Sequence, residues 1–344
     1  MTTPAGFVLV TGGSGYIAVF CIAQLLQEGW RVRTTLRSLA KAEQVRASVS
    51  KIGAEPKAIE FVKADLNSDK GWDQAVAGAD YALHVASPVP LINPKSDDEL
   101  VRPARDGTLR VLKAARDAGV KRVVLTSSIA AIIYGRGTRD TPFTESDWTD
   151  ETNLTDSSSY DRSKTIAERA AWAWHRLEGG ALELVAINPS FVIGPVVGSE
   201  IPASLNIVKK LLDGSALGLP RFGFSLVDVR DVARLHILAM TASSAASQRF
   251  IGSGDFFWMK DIASILKQGL GEEARKVPTL PVPNIVVRAF AFFDPVARSR
   301  LYDLGKERRV SSDKARQTLG WIARPAPESI FSAARSLHAE GITP

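Results

Sequence analysis

A doubly wound, parallel α/β sheet with a smaller, mainly C-terminal subdomain is the fold class this chain predicts. Three observations carry that expectation. Short β-branched runs alternate with helical stretches through the first half. A glycine cluster joins the first of those runs to the first helix, and turn-rich chain takes over after Pro189. With 344 residues, 45% of them apolar, the chain is long enough to bury one large core or two unequal ones.

Taken in order, strands are expected at Phe7 to Thr11, Arg31 to Leu36, Ile59 to Lys63, Tyr81 to Val85, Arg122 to Ser127 and Leu182 to Asn188. Helices are expected at Ile17 to Glu28, Ala40 to Ile52, Trp72 to Val76, Leu100 to Ala118 and Tyr160 to Leu177. Beyond Pro189, turn signals at Gly194-Pro195, Gly198 and Pro202 precede a helical stretch from Ser204 to Asp213. Ser225 to Met240 reads as a strand and helix returning to the main sheet, and Arg249 to Ile251 as a further strand. The domains are therefore expected to be discontinuous, with 1–190 and 225–252 in the larger and 191–224 and 253–344 in the smaller. No internal repeat or low-complexity tract is visible.

Composition narrows the function classes. The 43 basic and 37 acidic residues give a net charge of +6, a mild bias toward anionic ligands. Basic residues gather at Arg298, Arg300, Lys306, Arg308 and Arg309, but without interleaved aromatic platforms they read as a solvated face. No nucleic-acid partner is expected. Cys21 is the only cysteine, so no internal disulfide can form, and it reads as a small core residue. There is no basic leader and no apolar run long enough to span a bilayer, which points to a soluble cytoplasmic protein without a membrane partner. His84, His175, His236 and His338 are scattered singly, so no metal site is expected. The absence of a Gly-x-Ser-x-Gly elbow disfavours hydrolase chemistry.

The glycine cluster is Gly12-Gly13-Ser14-Gly15, preceded by Val8-Leu9-Val10-Thr11 and followed by an apolar helix. Glycine permits a tight turn and close backbone approach, while the helix N-terminus offers free N–H groups to a pyrophosphate. Ala18 supplies the third small position, where helix and strand pack closely. This is the context of a dinucleotide site. An NAD site places a carboxylate at the end of the second strand; here that end reads Thr34-Thr35-Leu36-Arg37-Ser38. Arg37 is a planar donor suited to a 2′-phosphate and Lys41 adds a second charge, so NADP is the expected cofactor.

Tyr160 and Lys164 stand four apart and share one helix face, an arrangement expected to lower the phenol pKa. Thr126-Ser127-Ser128 ends a strand, at the sheet edge that borders the ligand crevice. A serine there can polarise a carbonyl while Tyr160 transfers a proton.

With these motifs the chain resembles the extended short-chain dehydrogenases/reductases, in the branch of dihydroflavonol reductases and microbial aldehyde or ketone reductases, which have a Rossmann-type sheet. Gly12 to Ala18 resembles that family's cofactor turn, and Arg37 its NADP-selecting arginine. His84-Val85-Ala86-Ser87-Pro88 is similar to its strand end beside the nicotinamide ribose. The resemblance implies catalysis by Ser128, Tyr160 and Lys164. It implies cofactor contacts from Gly12, Gly15, Tyr16, Ile17, Arg37, Lys41, Asp65, Leu66, Val85, Ala86, Ser87, Tyr160, Lys164, Pro189, Ser190 and Val192. Val227 to Ala233 and Leu319-Gly320-Trp321 are similar to late family landmarks, and Asp106-Gly107-Thr108 to its usual helix motif.

Val19-Phe20 departs from the pattern by setting a bulky pair on the helix beside the pyrophosphate. The implied reaction is NADPH-dependent reduction of a small-molecule ketone or aldehyde by a monomer or homodimer. Val89, Pro90, Leu91, Ile129, Ala130, Phe191, Ile201 and Leu205 are candidates for an apolar substrate pocket. The alternatives are an NAD-linked epimerase, dehydratase or sterol dehydrogenase, and a non-catalytic NADP sensor on the same fold.

Overall fold

The computed structural model describes residues 6–87, 97–198 and 200–343. Seven parallel strands form the central sheet: β1 (Phe7–Val10), β2 (Arg31–Leu36), β3 (Ile59–Lys63), β4 (Tyr81–His84), β5 (Arg122–Thr126), β6 (Glu183–Pro189) and, after three short strands elsewhere, β10 (Arg249–Gly252). Their order is β10-β6-β5-β4-β1-β2-β3, so the chain reverses direction across the sheet between β1 and β4. That reversal opens a crevice at the carboxyl ends of the two strands.

Burial on both faces explains the near-continuous apolar runs, as in β1, where every residue is buried. Helices α1 (Tyr16–Gln27), α2 (Ala42–Lys51) and α7 (Val229–Thr241) pack on one face with Ile22, Leu25, Val45 and Leu235. Helices α3 (Trp72–Val76), α4 (Asp98–Asp117) and α5 (Ser159–Glu178) cover the other with Trp72, Leu112 and Trp174.

A second layer of chain contains β7 (Phe191–Ile193), α6 (Asn206–Asp213), β8 (Leu219–Pro220), β9 (Gly223–Asp228), β11 (Phe256–Trp258), α8 (Met259–Leu270) and β12 (Pro281–Val282). It continues through α9 (Asn284–Phe290), α10 (Pro295–Ser299) and α12 (Ala326–Ala339), whereas α11 (Asp313–Leu319) packs on α7 and β10 of the large sheet. A core of Leu211, Leu226, Leu266, Ile330 and Leu337 joins α6, α8 and α12 to a three-stranded sheet of order β11-β9-β7. The strand expected from Ser225 belongs to this small sheet; α7 and β10, which follow it, return to the large one. Polar staples tie the two layers together: Trp321 Nε1 donates to the Asp231 carbonyl at 2.8 Å, and Arg324 Nε to Asp231 Oδ1 at 2.9 Å.

The basic run near residue 300 is not uniformly solvated. Arg298, Arg300 and Arg309 are exposed, but Arg308 is buried against Asp156 and Asp303, and half-buried Lys306 pairs with Asp156. Phe143 N donates to the Arg309 carbonyl at 2.8 Å and Ser311 N to the Phe143 carbonyl at 2.9 Å. Residues 301–311 thus form a strap docked on the loop that leads into α5. The sequence expectation failed there because Asp156, the partner shared by Lys306 and Arg308, lies about 150 residues away along the chain.

Candidate active site

The glycine turn is shaped by its contacts. Gly12 has φ +70°, and a Cβ on Gly13 would stand 2.2 Å from Thr34 Oγ1, so neither position accepts a side chain without rearrangement. Thr35 holds the turn through Gly12 N to Thr35 Oγ1 and Gly13 N to the Thr35 carbonyl, each at 3.0 Å. Helix α1 begins directly after Gly15 with no side-chain cap and no acid in its first turn. Its leading N–H groups are left for solvent or an anion. Val19 and Phe20 do not meet the pyrophosphate side: they are 5% and 2% exposed and belong to the core. Tyr16 also turns inward, its ring edge-on to Phe20 at 5.8 Å and its hydroxyl buried without a hydrogen-bond partner among the described residues. Burial and Asp228 push that phenol's pKa up.

The other cofactor candidates ring the same crevice. Ala86 N donates to Thr11 Oγ1 at 3.0 Å, and Thr11 Oγ1 bonds His84 Nδ1 at 2.9 Å, which locks the end of β4 against the turn. A buried His84 next to Lys164 is held neutral, its pKa lowered to about 3 by burial and the neighbouring ammonium. Asp65 Oδ1 accepts from Asn67 N at 2.9 Å beyond β3, and Leu66 packs against Gly107 of α4 so tightly that a Cβ there would lie 2.8 Å from its own. Pro189 ends β6, and the buried Ser190 Oγ has no hydrogen-bond partner among the described residues. Such a group is fitted to a ligand donor or acceptor. Arg37 is exposed at the end of β2, while Lys41 Nζ donates to Glu200 Oε1 at 2.6 Å. An uncapped helix, an orphaned hydroxyl and two strand-end cations form a donor set that fits a phosphorylated dinucleotide.

Helix α5 carries the reactive side chains. Ser158 caps it reciprocally with Asp161: Asp161 N donates to Ser158 Oγ at 3.2 Å, and Ser158 N to Asp161 Oδ2 at 2.8 Å. Tyr302 from the strap donates to the same Asp161 Oδ2 at 2.9 Å. Tyr160 follows the cap, with the Ser128 side chain close enough to act on its phenol. Lys164, one turn on, is 7% exposed, donates to Ser87 Oγ at 2.8 Å and lies 5.8 Å from the Tyr160 ring centroid.

Charge in the site departs from the helical-spacing argument. Burial pushes the Tyr160 phenol up to about 12 and Asp161 adds to the rise; Ser128 and Arg300 oppose it. Lys164 is instead pulled down to about 8 by burial, with Glu168 opposing. Desolvation outweighs the i, i+4 pairing because both groups are withdrawn from water.

The two serines part company. Ser127 is buried and donates to Glu168 Oε2 at 2.5 Å; half-buried Ser128 is the one at the phenol. Glu168 also accepts from Asn188 Nδ2 at 2.7 Å and Arg249 Nε at 2.6 Å. Asn188 Nδ2 in turn donates to the Ser128 carbonyl at 3.0 Å, so this network supports the serine from behind. Sequence reading missed Glu168, although it stands four residues after Lys164 on the buried face of α5; Arg249 and Asn188 gave no local signal. Among the pocket candidates, Ala130 and Leu205 are core residues at 4% and 0% exposure, Ile129, Phe191 and Ile201 are half-buried, and Val89, Pro90 and Leu91, with Pro88 of the nicotinamide strand end, lie outside the described residues.

Comparison with known proteins gives a consistent picture. The family model for the NAD dependent epimerase/dehydratase family matches residues 8–251. Tetraketide alpha-pyrone reductase 2 of Arabidopsis thaliana is 35% identical over 80% of this chain and 84% of its own. Cinnamoyl-CoA reductase 1 of the same plant is 36% identical over 83% and 79%. Among solved structures, yeast methylglyoxal/isovaleraldehyde reductase Gre2 complexed with NADPH superposes with a TM-score of 0.80 at 26% identity, covering 98% of this chain and 99% of that one. Gre2 from Candida albicans in complex with NADPH gives 0.78 at 26%, covering 97% and 99%.

Proposed function

We propose that this chain, which belongs to the NAD-dependent epimerase/dehydratase family of extended short-chain dehydrogenases/reductases and is an oxidoreductase, reduces a ketone or aldehyde to an alcohol with NADPH. The observation that carries the reading is the Ser128 side chain beside the Tyr160 phenol, with Lys164 one turn along the same helix and bonded to Ser87 just past β4.

Gly12, Gly15 and the first turn of α1 receive the pyrophosphate, Arg37 and Lys41 the 2′-phosphate, and Ser87, Lys164 and Ser190 the nicotinamide half. Bound NADPH supplies a hydride to the carbonyl carbon. The two hydroxyls of Ser128 and Tyr160 converge on one carbonyl oxygen: Ser128 polarises it as negative charge develops, and Tyr160 delivers the proton that completes the alcohol. A phenol held near 12 stays protonated at neutral pH, which suits an acid in the reducing direction. Lys164 holds ribose hydroxyls and fixes the geometry, while Glu168 keeps an anion beside its ammonium. Ile129, Phe191 and Ile201 are partly buried and apolar, which favours a hydrophobic carbonyl compound over a sugar nucleotide.

Loss of NADPH absorbance against a panel of aryl ketones, keto esters and aldehydes tests the reading. Turnover of at least one class is expected. Tight NADPH binding without consumption across the panel would leave the non-catalytic sensor as the better account.

A further inference from the structure

Lys41 and Arg37 face a protein anion before any cofactor arrives. Lys41 Nζ donates to Glu200 Oε1 at 2.6 Å, with both side chains exposed. The Lys41 bond first, then the charges of Lys41 and Arg37 and the Gln44 amide of α2, hold the Glu200 carboxyl below the usual range. Glu200 lies in the segment that follows β7. The chain just before Glu200 is tethered: Val196 N donates to Ser336 Oγ at 2.8 Å and Ser48 Oγ to the Val197 carbonyl at 3.4 Å. Gly198 N donates to Glu340 Oε1 at 3.2 Å, and Glu340 pairs with Lys51 at 2.6 Å. The segment is therefore carried to α2 by contacts that do not involve Glu200.

We propose that Glu200 is an internal competitor for the 2′-phosphate of NADPH, neutralising the Lys41 ammonium in the cofactor-free protein and giving it up on loading. The idea rests on the NADPH reading above and on the chemistry of the donors. An ammonium and a guanidinium that accept a phosphate accept a carboxylate equally well, and two anions at one ammonium repel. An exposed pair of this kind is weak, so a dianionic phosphate displaces it. NADH lacks that phosphate and leaves the pair in place. Glu200 thus lowers affinity for NADPH alone, a role in cofactor selectivity separate from that of Arg37.

The test is fluorescence titration of the cofactor-free protein with NADPH, NADH and adenosine 2′,5′-bisphosphate. Glu200→Gln is expected to tighten NADPH and the bisphosphate by about twofold to fivefold, the scale of one exposed ion pair, and to leave NADH unchanged. In a Lys41→Met background the same substitution is expected to lose its effect, since the shared ammonium is gone. Unchanged or weaker NADPH binding in Glu200→Gln overturns the proposal, as does an equal shift for NADH, which would assign Glu200 to holding the segment closed. Arg37→Ala separates the two readings. Selective loss of NADPH affinity there with no Glu200 effect refutes only the competitor, whereas wild-type preference for NADH refutes both.

Discussion

Ser127 and Ser128 are neighbours of the same chemistry in different surroundings. Ser127→Ala removes one donor to Glu168, which keeps Asn188 and Arg249; a loss of about 1 kcal/mol in stability and kcat within a few-fold of wild type are expected. Ser128→Ala removes the group at the phenol, and kcat is expected to fall about 10²-fold with little change in melting temperature. Thermal melts and steady-state kinetics on both variants check the pair, and the opposite ranking would move the role to Ser127. Lys164 adds a pH signature. Its folded pKa is lowered to about 8, so the group is an ammonium below that pH and an amine above it. Free-enzyme kcat/KM for NADPH should therefore decline as pH rises through about 8, and a profile flat from about 7 to about 9 would contradict the assignment. Tyr160, near 12, does not titrate in that window.

At the scale of elements, the long strands and helices were legible because alternation and 3.6-residue periodicity persist over five residues or more. Arg31–Leu36, Ile59–Lys63 and Trp72–Val76 fall where the pattern puts them. The two- and three-residue strands of the second layer, such as Leu219–Pro220 and Pro281–Val282, are too short to show a period and exist through pairing with distant chain. The strap at 301–311 was misread for a related reason: charge runs advertise their sign but not their partners. It yields a sharp contrast between adjacent arginines. Arg308→Met strands the buried Asp156 and Asp303 with one partner fewer and is expected to cost about 3 kcal/mol. Exposed Arg309, paired among the described residues with Glu307, is expected to cost under about 1 kcal/mol on the same substitution. Urea denaturation of the two variants decides this, and equal midpoints would show the strap to be peripheral. Because Tyr302 of the strap bonds Asp161 beside Tyr160, Arg308→Met should also lower kcat.

Over the whole molecule, the proposed site draws on the ends of β1, β2, β4, β5 and β6 and on two helices, α1 and α5. Its outer layer was readable in the sequence, since the glycine turn, Arg37, the strand-end serines and the Tyr160 and Lys164 spacing are local patterns. What supports it was not, because Ser87 meets Lys164, and Glu168 meets Arg249, across separations of 77 and 81 residues. Spacing also gave the wrong direction for the phenol: shared helix position brings an ammonium near, but only the packed fold reveals how thoroughly both groups leave water. The central claim is that Tyr160 delivers the proton in an NADPH-dependent carbonyl reduction. Tyr160→Phe removes that proton and little else, so NADPH affinity by fluorescence titration and turnover of one accepted ketone should be measured on the same sample. The account predicts unchanged affinity with turnover lowered by about 10²-fold or more. Turnover within a few-fold of wild type in the folded, NADPH-binding variant would contradict it.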